Sequence, residues 1–232
     1  MTGIPKIIAH RGAPREALEN TLLAFRIALD QEADGIELDV HATKDGVVVV
    51  HHDPAVRVLD DGVSRVVPIC ELTAAEAIGL PLAGGATMPT LDETLAFIGA
   101  RAVVYIEVKS AGIEGPLIDC LDRHQGSRLA IHAFDHRIPV AVRAKRPDLP
   151  IGLLSTSYPL SLAGFLGGAR PTSLWQQAHL IDAALVTEAH ELGTRVVAWT
   201  VNDVVHARAL IAMGVDALCT DTPGLLRTAL GA

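Results

Sequence analysis

Residues 34–40 read DGIELDV and residues 103–109 read VVYIEVK, and each stretch is a short apolar run interrupted by charged side chains. The charges lie two positions apart, as Glu37 with Asp39 and as Glu107 with Lys109. Side chains two apart on a β-strand point to the same side. Because burying a carboxylate at the end of an apolar strand is costly unless a cation or hydrogen bonds compensate, the two stretches predict buried strands that end in a polar site.

The three carboxylates of these stretches predict a metal site. Glu37, Asp39 and Glu107 together offer hard oxygen ligands, which suit Mg²⁺ or Ca²⁺. The choice between the two ions depends on ligand number and cavity size, so the sequence leaves both open. We therefore expect a metal enzyme whose cofactor is a divalent cation.

Strand-like and helix-like stretches alternate along the whole chain. The strand-like stretches lie at about 6–10, 35–40, 102–108, 127–134, 151–155, 171–174, 195–201 and 216–221. Close to eight βα units in 232 residues indicate an α/β fold of the (β/α)8 TIM-barrel type, with an open doubly wound sheet as the alternative. Residues 54–88 carry turn and short-helix signals, so we expect one barrel domain over 1–232 with a short insertion after the second strand region.

Most of the candidate site residues fall at the carboxyl ends of these strands, where a barrel carries its chemistry. They are His10, Glu37, Asp39, Glu107, Phe134, Trp199 and Asp221. Asp221 is predicted to be structural, closing the end of the eighth strand. We expect the second strand to end before His41 and place this histidine in a loop, although its spacing from Asp39 leaves a ligand role open.

Composition narrows the classes of partner. A formal charge of −8 argues against nucleic acid, whose phosphates need a basic surface. The three cysteines are scattered and form no CxxC, which is typical of reduced thiols in a cytoplasmic protein. The N-terminus lacks the apolar core of a signal peptide, and no apolar run reaches the roughly 18 residues of a membrane span. We expect a cytoplasmic protein without stable membrane insertion, either a monomer or a homodimer.

An ordered set of short motifs resembles the glycerophosphodiester phosphodiesterase family. The motifs are AHRG, ENT, ELDV, HHDP, IEVK, WTVND and TDTP, running from His10 to Pro223. The resemblance implies a (β/α)8 barrel that hydrolyses glycerophosphodiesters to glycerol 3-phosphate and an alcohol with a divalent cation, Mg²⁺ or Ca²⁺. The segment between His52-Asp53 and MPTL corresponds to a short form of the family's insertion.

The resemblance also implies a role for each matched position. It implies that His10 and His52 are the general acid and base and that Glu37, Asp39 and Glu107 bind the metal. It implies that Arg11 and Lys109 contact the phosphate. Asn20 would lie near the site, and Trp199 would flank the glycerol end of the substrate. A histidine with a pKa near 6.5 serves as acid or base at neutral pH. The register of the family's motif and the following Asp53 favour His52 over His51. For Trp199, packing in the core or at the rim is the alternative.

Some readings stay open at this level. The fourth strand ends in HAFD where the family often has SFD, so Ala133 lacks the hydroxyl that the family's serine carries there. A substrate contact by His132 or His136, which flank this strand end, is left open. Either water or the substrate's own glycerol hydroxyl attacks phosphorus, the latter giving a cyclic phosphate. The alternatives for function are a lysophospholipase D-type phosphodiesterase and a non-catalytic phosphodiester-binding barrel.

Overall fold

The structure, a computed structural model, describes residues 5–60 and 63–231. Its elements in chain order are β1 (Lys6–His10), α1 (Leu22–Asp30), β2 (Gly35–Ala42), β3 (Val48–Val50), β4 (Ala55–Asp60), β5 (Val63–Pro68), α2 (Ala74–Gly79), α3 (Leu91–Ile98), β6 (Val103–Val108), α4 (Glu114–Asp122), β7 (Arg128–Ala133), α5 (Arg137–Lys145), β8 (Ile151–Ser155), α6 (Leu162–Gly167), β9 (Ser173–Gln177), α7 (Ala183–Glu191), β10 (Arg195–Trp199), α8 (Val204–Met213), β11 (Ala217–Thr220) and α9 (Pro223–Leu230). Over these ranges, no helix is both long enough and apolar enough to cross a membrane.

Eight parallel strands close into a barrel. Their order is β1, β11, β10, β9, β8, β7, β6, β2, and β2 pairs again with β1, so the sheet has no open edge within this ring. Helices between the strands cover the outside. This architecture confirms the predicted (β/α)8 TIM barrel, and the open doubly wound alternative is wrong because the first and second strands close the ring.

The structure extends β2 beyond its predicted end. Strand β3 pairs antiparallel with β2, with His41 opposite Val49 and Ala42 opposite Val48. This pairing supplies hydrogen-bond partners past the barrel rim, so the strand continues through His41. The prediction that His41 lies in a loop is therefore wrong, and its side chain is buried.

The interior of the barrel has an apolar lower layer and a polar upper layer. The lower layer contains Ile8, Leu154, Trp175, Val197, Ala217 and Cys219. Toward the carboxyl ends, the strand register places Asp39 opposite Glu107, and Glu107 opposite His132. Paired residues on neighbouring parallel strands point to the same face, so these three side chains lie at one level of the barrel interior.

Gly12 fixes the turn that leads from β1 toward α1. Its φ is +90°, and a Cβ atom there would lie 2.7 Å from the carbonyl carbon of Ala24. Gly12→Ala should lower the free energy of unfolding by about 1–3 kcal/mol, because it adds left-handed strain and a clash with backbone. Urea unfolding measures the change. Gly115→Ala in α4 meets open space and is the control; equal destabilisation by both substitutions would contradict this account.

Candidate active site

The predicted site residues meet in a cavity of about 100 Å³ at the carboxyl ends of the strands. Seven of the nine line it, namely His10, Arg11, Glu37, His52, Glu107, Lys109 and Trp199. Asp39 and Asn20 lie behind this lining and are buried. His51 is not among the lining residues either, which agrees with the choice of His52.

His10 is held by a carboxylate at the far end of the chain. Its Nδ1 donates to Asp221 Oδ1 at 2.7 Å, and the amide of Asn202 donates to Asp221 Oδ2 at 2.6 Å. Burial opposes a charge on the ring, but the hydrogen bond to Asp221 and the charge of Glu37 outweigh it, so the pKa of His10 is raised above 6.5. Asp221 therefore does more than close a strand: it fixes the tautomer and orientation of His10, with Nε2 left free of this contact.

His52 is held through its side chain and its backbone. Its Nδ1 donates to Asp53 Oδ1 at 2.8 Å, and its carbonyl oxygen accepts from His41 Nε2 at 3.1 Å. Burial lowers the pKa of His41, so its ring is neutral and Nδ1 accepts from the Ser110 hydroxyl at 3.2 Å. The sequence signal for this role is spacing: His41 lies two residues after Asp39, so both side chains point to the same side of β2.

Asp39 is the centre of a buried ion-pair network. Arg11 Nε lies 3.1 Å from Asp39 Oδ2, and Lys109 Nζ lies 3.4 Å from Asp39 Oδ1. The Asn20 amide donates to Asp39 Oδ2 at 2.8 Å. Burial opposes ionisation, but the charges of Arg11 and Lys109 overcome it and lower the pKa of Asp39. This network fixes both cationic side chains at the edge of the cavity.

Glu37 and Glu107 face the cavity side by side, and we call this pair the acidic group. With His132 they place three ligand atoms within 4.8 Å of one another, an arrangement that suits a metal ion. Burial, followed by the charges of Glu37 and Asp39, raises the pKa of Glu107 even though Lys109 Nζ lies 2.8 Å from Glu107 Oε1. The three site carboxylates outnumber Arg11 and Lys109 by one charge. A divalent cation would relieve this repulsion, so the residues present fit such an ion.

Two aromatic side chains stand at the mouth of the cavity. Phe134 and Trp199 pack edge to face with ring centroids 5.6 Å apart, and Phe134 remains 45% exposed. The indole nitrogen of Trp199 is buried and has no hydrogen-bond partner within residues 5–60 and 63–231. The contact with Phe134 gives Trp199 a packing role at the rim of the cavity.

A larger cavity, of about 770 Å³, lies at the opposite end of the barrel. It is lined by the amino ends of strands, including Lys6, Arg128 and Arg195, with Asp216 as its one lining carboxylate among the described residues. Because TIM barrels carry their chemistry at the carboxyl ends of the strands, we place the active site in the smaller, acidic cavity.

The comparisons with known proteins identify the family of this chain. Residues 10–225 match the model of the glycerophosphoryl diester phosphodiesterase family. A glycerophosphodiester phosphodiesterase of Caldanaerobacter subterraneus is 34% identical over 95% of each chain. The structure of an Oleispira antarctica phosphodiesterase in complex with the product sn-glycerol-3-phosphate has a TM-score of 0.88 and 26% identity, over 99% of this chain and 98% of that one.

A second solved structure has the same barrel fold. The glycerophosphodiester phosphodiesterase of Agrobacterium tumefaciens superposes with a TM-score of 0.82 at 25% identity, over 97% of this chain and 100% of that one. The family and the enzyme class that the motifs predict are thereby confirmed. The chain belongs to the glycerophosphoryl diester phosphodiesterase family.

Proposed function

We propose that this chain hydrolyses glycerophosphodiesters to glycerol 3-phosphate and an alcohol, with a divalent cation and two histidines, His10 and His52. The observation that carries the proposal is the meeting of these histidines with three carboxylates and two cations around one cavity. The product complex of the Oleispira antarctica relative supports a small-molecule substrate of this class.

The charges of the site suit a phosphodiester only when a further cation is present. The substrate carries one negative charge, and the three carboxylates of the site already carry one more negative charge than Arg11 and Lys109 neutralise. Glu37, Asp39 and Glu107 would hold Mg²⁺ or Ca²⁺, which when bound supplies Lewis-acid stabilisation of charge on the phosphoryl oxygens. Arg11 and Lys109 contribute to the same stabilisation from the side of Asp39.

The two histidines divide the proton transfers. Asp221 holds Nδ1 of His10, and Asp53 holds Nδ1 of His52, so each ring has its Nε2 for the substrate. One ring removes a proton from the attacking oxygen and the other protonates the leaving alkoxide, which otherwise departs poorly. Trp199 would contact the glycerol end, a role supported by its place in the cavity lining beside Phe134.

The attacking oxygen belongs either to water or to the glycerol of the substrate. Attack by the glycerol hydroxyl would produce a transient cyclic phosphate before water completes the reaction. Phosphorus NMR during turnover distinguishes the two routes, since a cyclic glycerophosphate signal that rises and decays indicates attack by the substrate itself. Direct formation of glycerol 3-phosphate throughout the time course indicates attack by water.

Asp221→Asn should lower kcat by roughly 10- to 100-fold, because the neutral side chain no longer holds the His10 tautomer with a carboxylate. The asparagine keeps the size of Asp221 but offers one oxygen, so it cannot accept from both His10 and Asn202. Steady-state kinetics measures kcat and KM separately. An unchanged kcat would show that the Asp221 carboxylate does not support His10 in catalysis.

Release of glycerol 3-phosphate from glycerophosphocholine and glycerophosphoethanolamine tests the substrate class. Lysophosphatidylcholine tests the second candidate, a lysophospholipase D-type activity. That candidate is favoured by exposed Phe134, Tyr158 and Leu160 on the loops after β7 and β8, where an acyl chain would enter. Faster turnover of the lysophospholipid than of the glycerophosphodiesters would favour the lysophospholipase D-type activity over the first function. Binding of a diester without its turnover would indicate a non-catalytic barrel.

A further inference from the structure

His132 is a buried histidine beside Glu37 and Glu107, and the ligand set proposed above, Glu37, Asp39 and Glu107, does not include it. It lies on β7 directly opposite Glu107 in the strand register, and only 1% of its surface is exposed. The register directs its side chain into the barrel with that of Glu107. A polar ring in this position needs a partner, because burial of an unpaired polar group is costly.

Among the described residues, neither ring nitrogen of His132 makes a hydrogen bond. Its Nε2 lies 3.8 Å from Glu37 Oε1, too far for a hydrogen bond. Two ligand atoms that each bind one ion at about 2.1 Å are separated by about 3–4.2 Å, so 3.8 Å fits a shared ion. Its Nδ1 has no hydrogen-bond partner in the described part of the chain. The imidazole and the two glutamates therefore converge on one point without bonding to one another.

The ring is fixed in this orientation from the barrel interior. Trp175 stacks on His132 with centroids 4.2 Å apart and planes 9° from parallel. The indole fits there because Gly152, opposite His132 on β8, has no side chain: a Cβ atom would lie 2.8 Å from Trp175 Cδ1. The Trp175 nitrogen is engaged elsewhere, donating to Ser173 Oγ at 3.2 Å. A side chain held this firmly is preorganised as a ligand.

We propose that His132 binds the active-site cation through Nε2, together with Glu37 and Glu107, and that the site consequently favours Mn²⁺ over Mg²⁺ and Ca²⁺. This inference rests on the metal dependence of the proposed function. Oxygen ligands alone suit Mg²⁺ and Ca²⁺, whereas an imidazole is bound more strongly by first-row transition ions. Arg11 and Asn20 hold Asp39 through Oδ2, and Asp39 Oδ1 has no hydrogen-bond partner among the described residues, so the imidazole adds a nitrogen ligand to the carboxylates of the proposed site.

Direct binding of Mn²⁺ and Mg²⁺ to the metal-free protein tests the proposal without relying on activity. Calorimetry on the wild type, His132→Gln and His136→Gln gives the affinities. His136 is the matched control, since its Nε2 donates to the Leu154 carbonyl at 2.8 Å outside the acidic group. We expect His132→Gln to weaken Mn²⁺ binding by at least about 10-fold and Mg²⁺ binding by much less, and His136→Gln to change neither.

Electron spin echo spectroscopy of bound Mn²⁺ provides a second readout in the unaltered protein. Modulation from a coordinated imidazole nitrogen is expected in the wild type and in His10→Gln, and its loss is expected in His132→Gln. No nitrogen modulation in the wild type, or loss of it only in His10→Gln, would overturn the proposal even if His132→Gln did not fold.

The binding data also separate this inference from the proposed function. Tight Mn²⁺ binding that is unaffected by His132→Gln would overturn the ligand role of His132 alone and leave metal-dependent hydrolysis standing. A wild-type protein that binds no divalent ion would overturn both.

Discussion

Replacing His10 or His52 by alanine lowers kcat by at least about 100-fold, the range expected when general acid or base catalysis is removed. Each ring stands at the cavity with its Nδ1 held by a carboxylate, Asp221 or Asp53. Alanine removes the proton donor or acceptor and leaves the metal carboxylates in place. The measurement is steady-state release of glycerol 3-phosphate at saturating substrate and cation.

His51→Ala is the matched control for this experiment. His51 is the neighbour of His52 in sequence but does not line the cavity, and burial lowers its pKa. We expect its kcat to stay within about threefold of the wild-type value, since the side chain has no part in proton transfer. Near-wild-type turnover in both His10→Ala and His52→Ala would contradict the assignment, as would an equal loss in His51→Ala.

Glu107→Gln is the second change with a large expected effect. The amide keeps the shape of the side chain but removes the negative charge, so the site holds its cation poorly and stabilises less charge on the phosphate. We expect kcat/KM to fall by at least about 100-fold, in line with the several kcal/mol that a catalytic metal ion contributes. Kinetics over a range of cation concentrations measures the loss.

The thermal stability of the metal-free Glu107→Gln variant should not fall, although its activity does. Burial and the charges of Glu37 and Asp39 raise the pKa of Glu107, so its ionised form is disfavoured in the folded metal-free protein relative to the unfolded chain. At neutral pH, above the unfolded pKa, the neutral glutamine removes this unfavourable contribution. Thermal unfolding in EDTA should give a Tm equal to or above that of the wild type.

An exposed glutamate provides the control for the charge change. Glu188→Gln on α7 removes the same charge far from the acidic group and should leave kcat/KM unchanged. A marked drop in the Tm of Glu107→Gln would mean that the carboxylate stabilises the fold, and the loss of activity would then have a structural cause.

The sequence predicted the barrel and much of the candidate site because these features depend on local pattern. Strand β1 and strand β8 occur with the predicted bounds, since each is a short run bounded by polar or turn residues. The two-residue spacing of Glu37 and Asp39 placed both inside the barrel. It did not show that Asp39 would be enclosed by Arg11, Lys109 and Asn20, because those contacts depend on how three separate segments pack.

Long-range pairs could not be predicted in the same way. His10 and Asp221 are separated by 211 positions and meet only because β11 closes against β1. His132 sits in an apolar run that is typical of a core strand, so its place beside Glu37 depends on the barrel register. The alternation of residues 55–68 is short and interrupted by charges, and the prediction of turns and short helices missed the β4–β5 hairpin there.

Removal and restoration of the cation is the most direct test of metal-dependent hydrolysis at this site. The protein would be treated with EDTA, assayed for glycerol 3-phosphate release from glycerophosphocholine and glycerophosphoethanolamine, and assayed again after addition of Mg²⁺, Ca²⁺ or Mn²⁺. We expect EDTA to abolish turnover and at least one ion to restore it. Full turnover in EDTA by the metal-free protein would contradict the account.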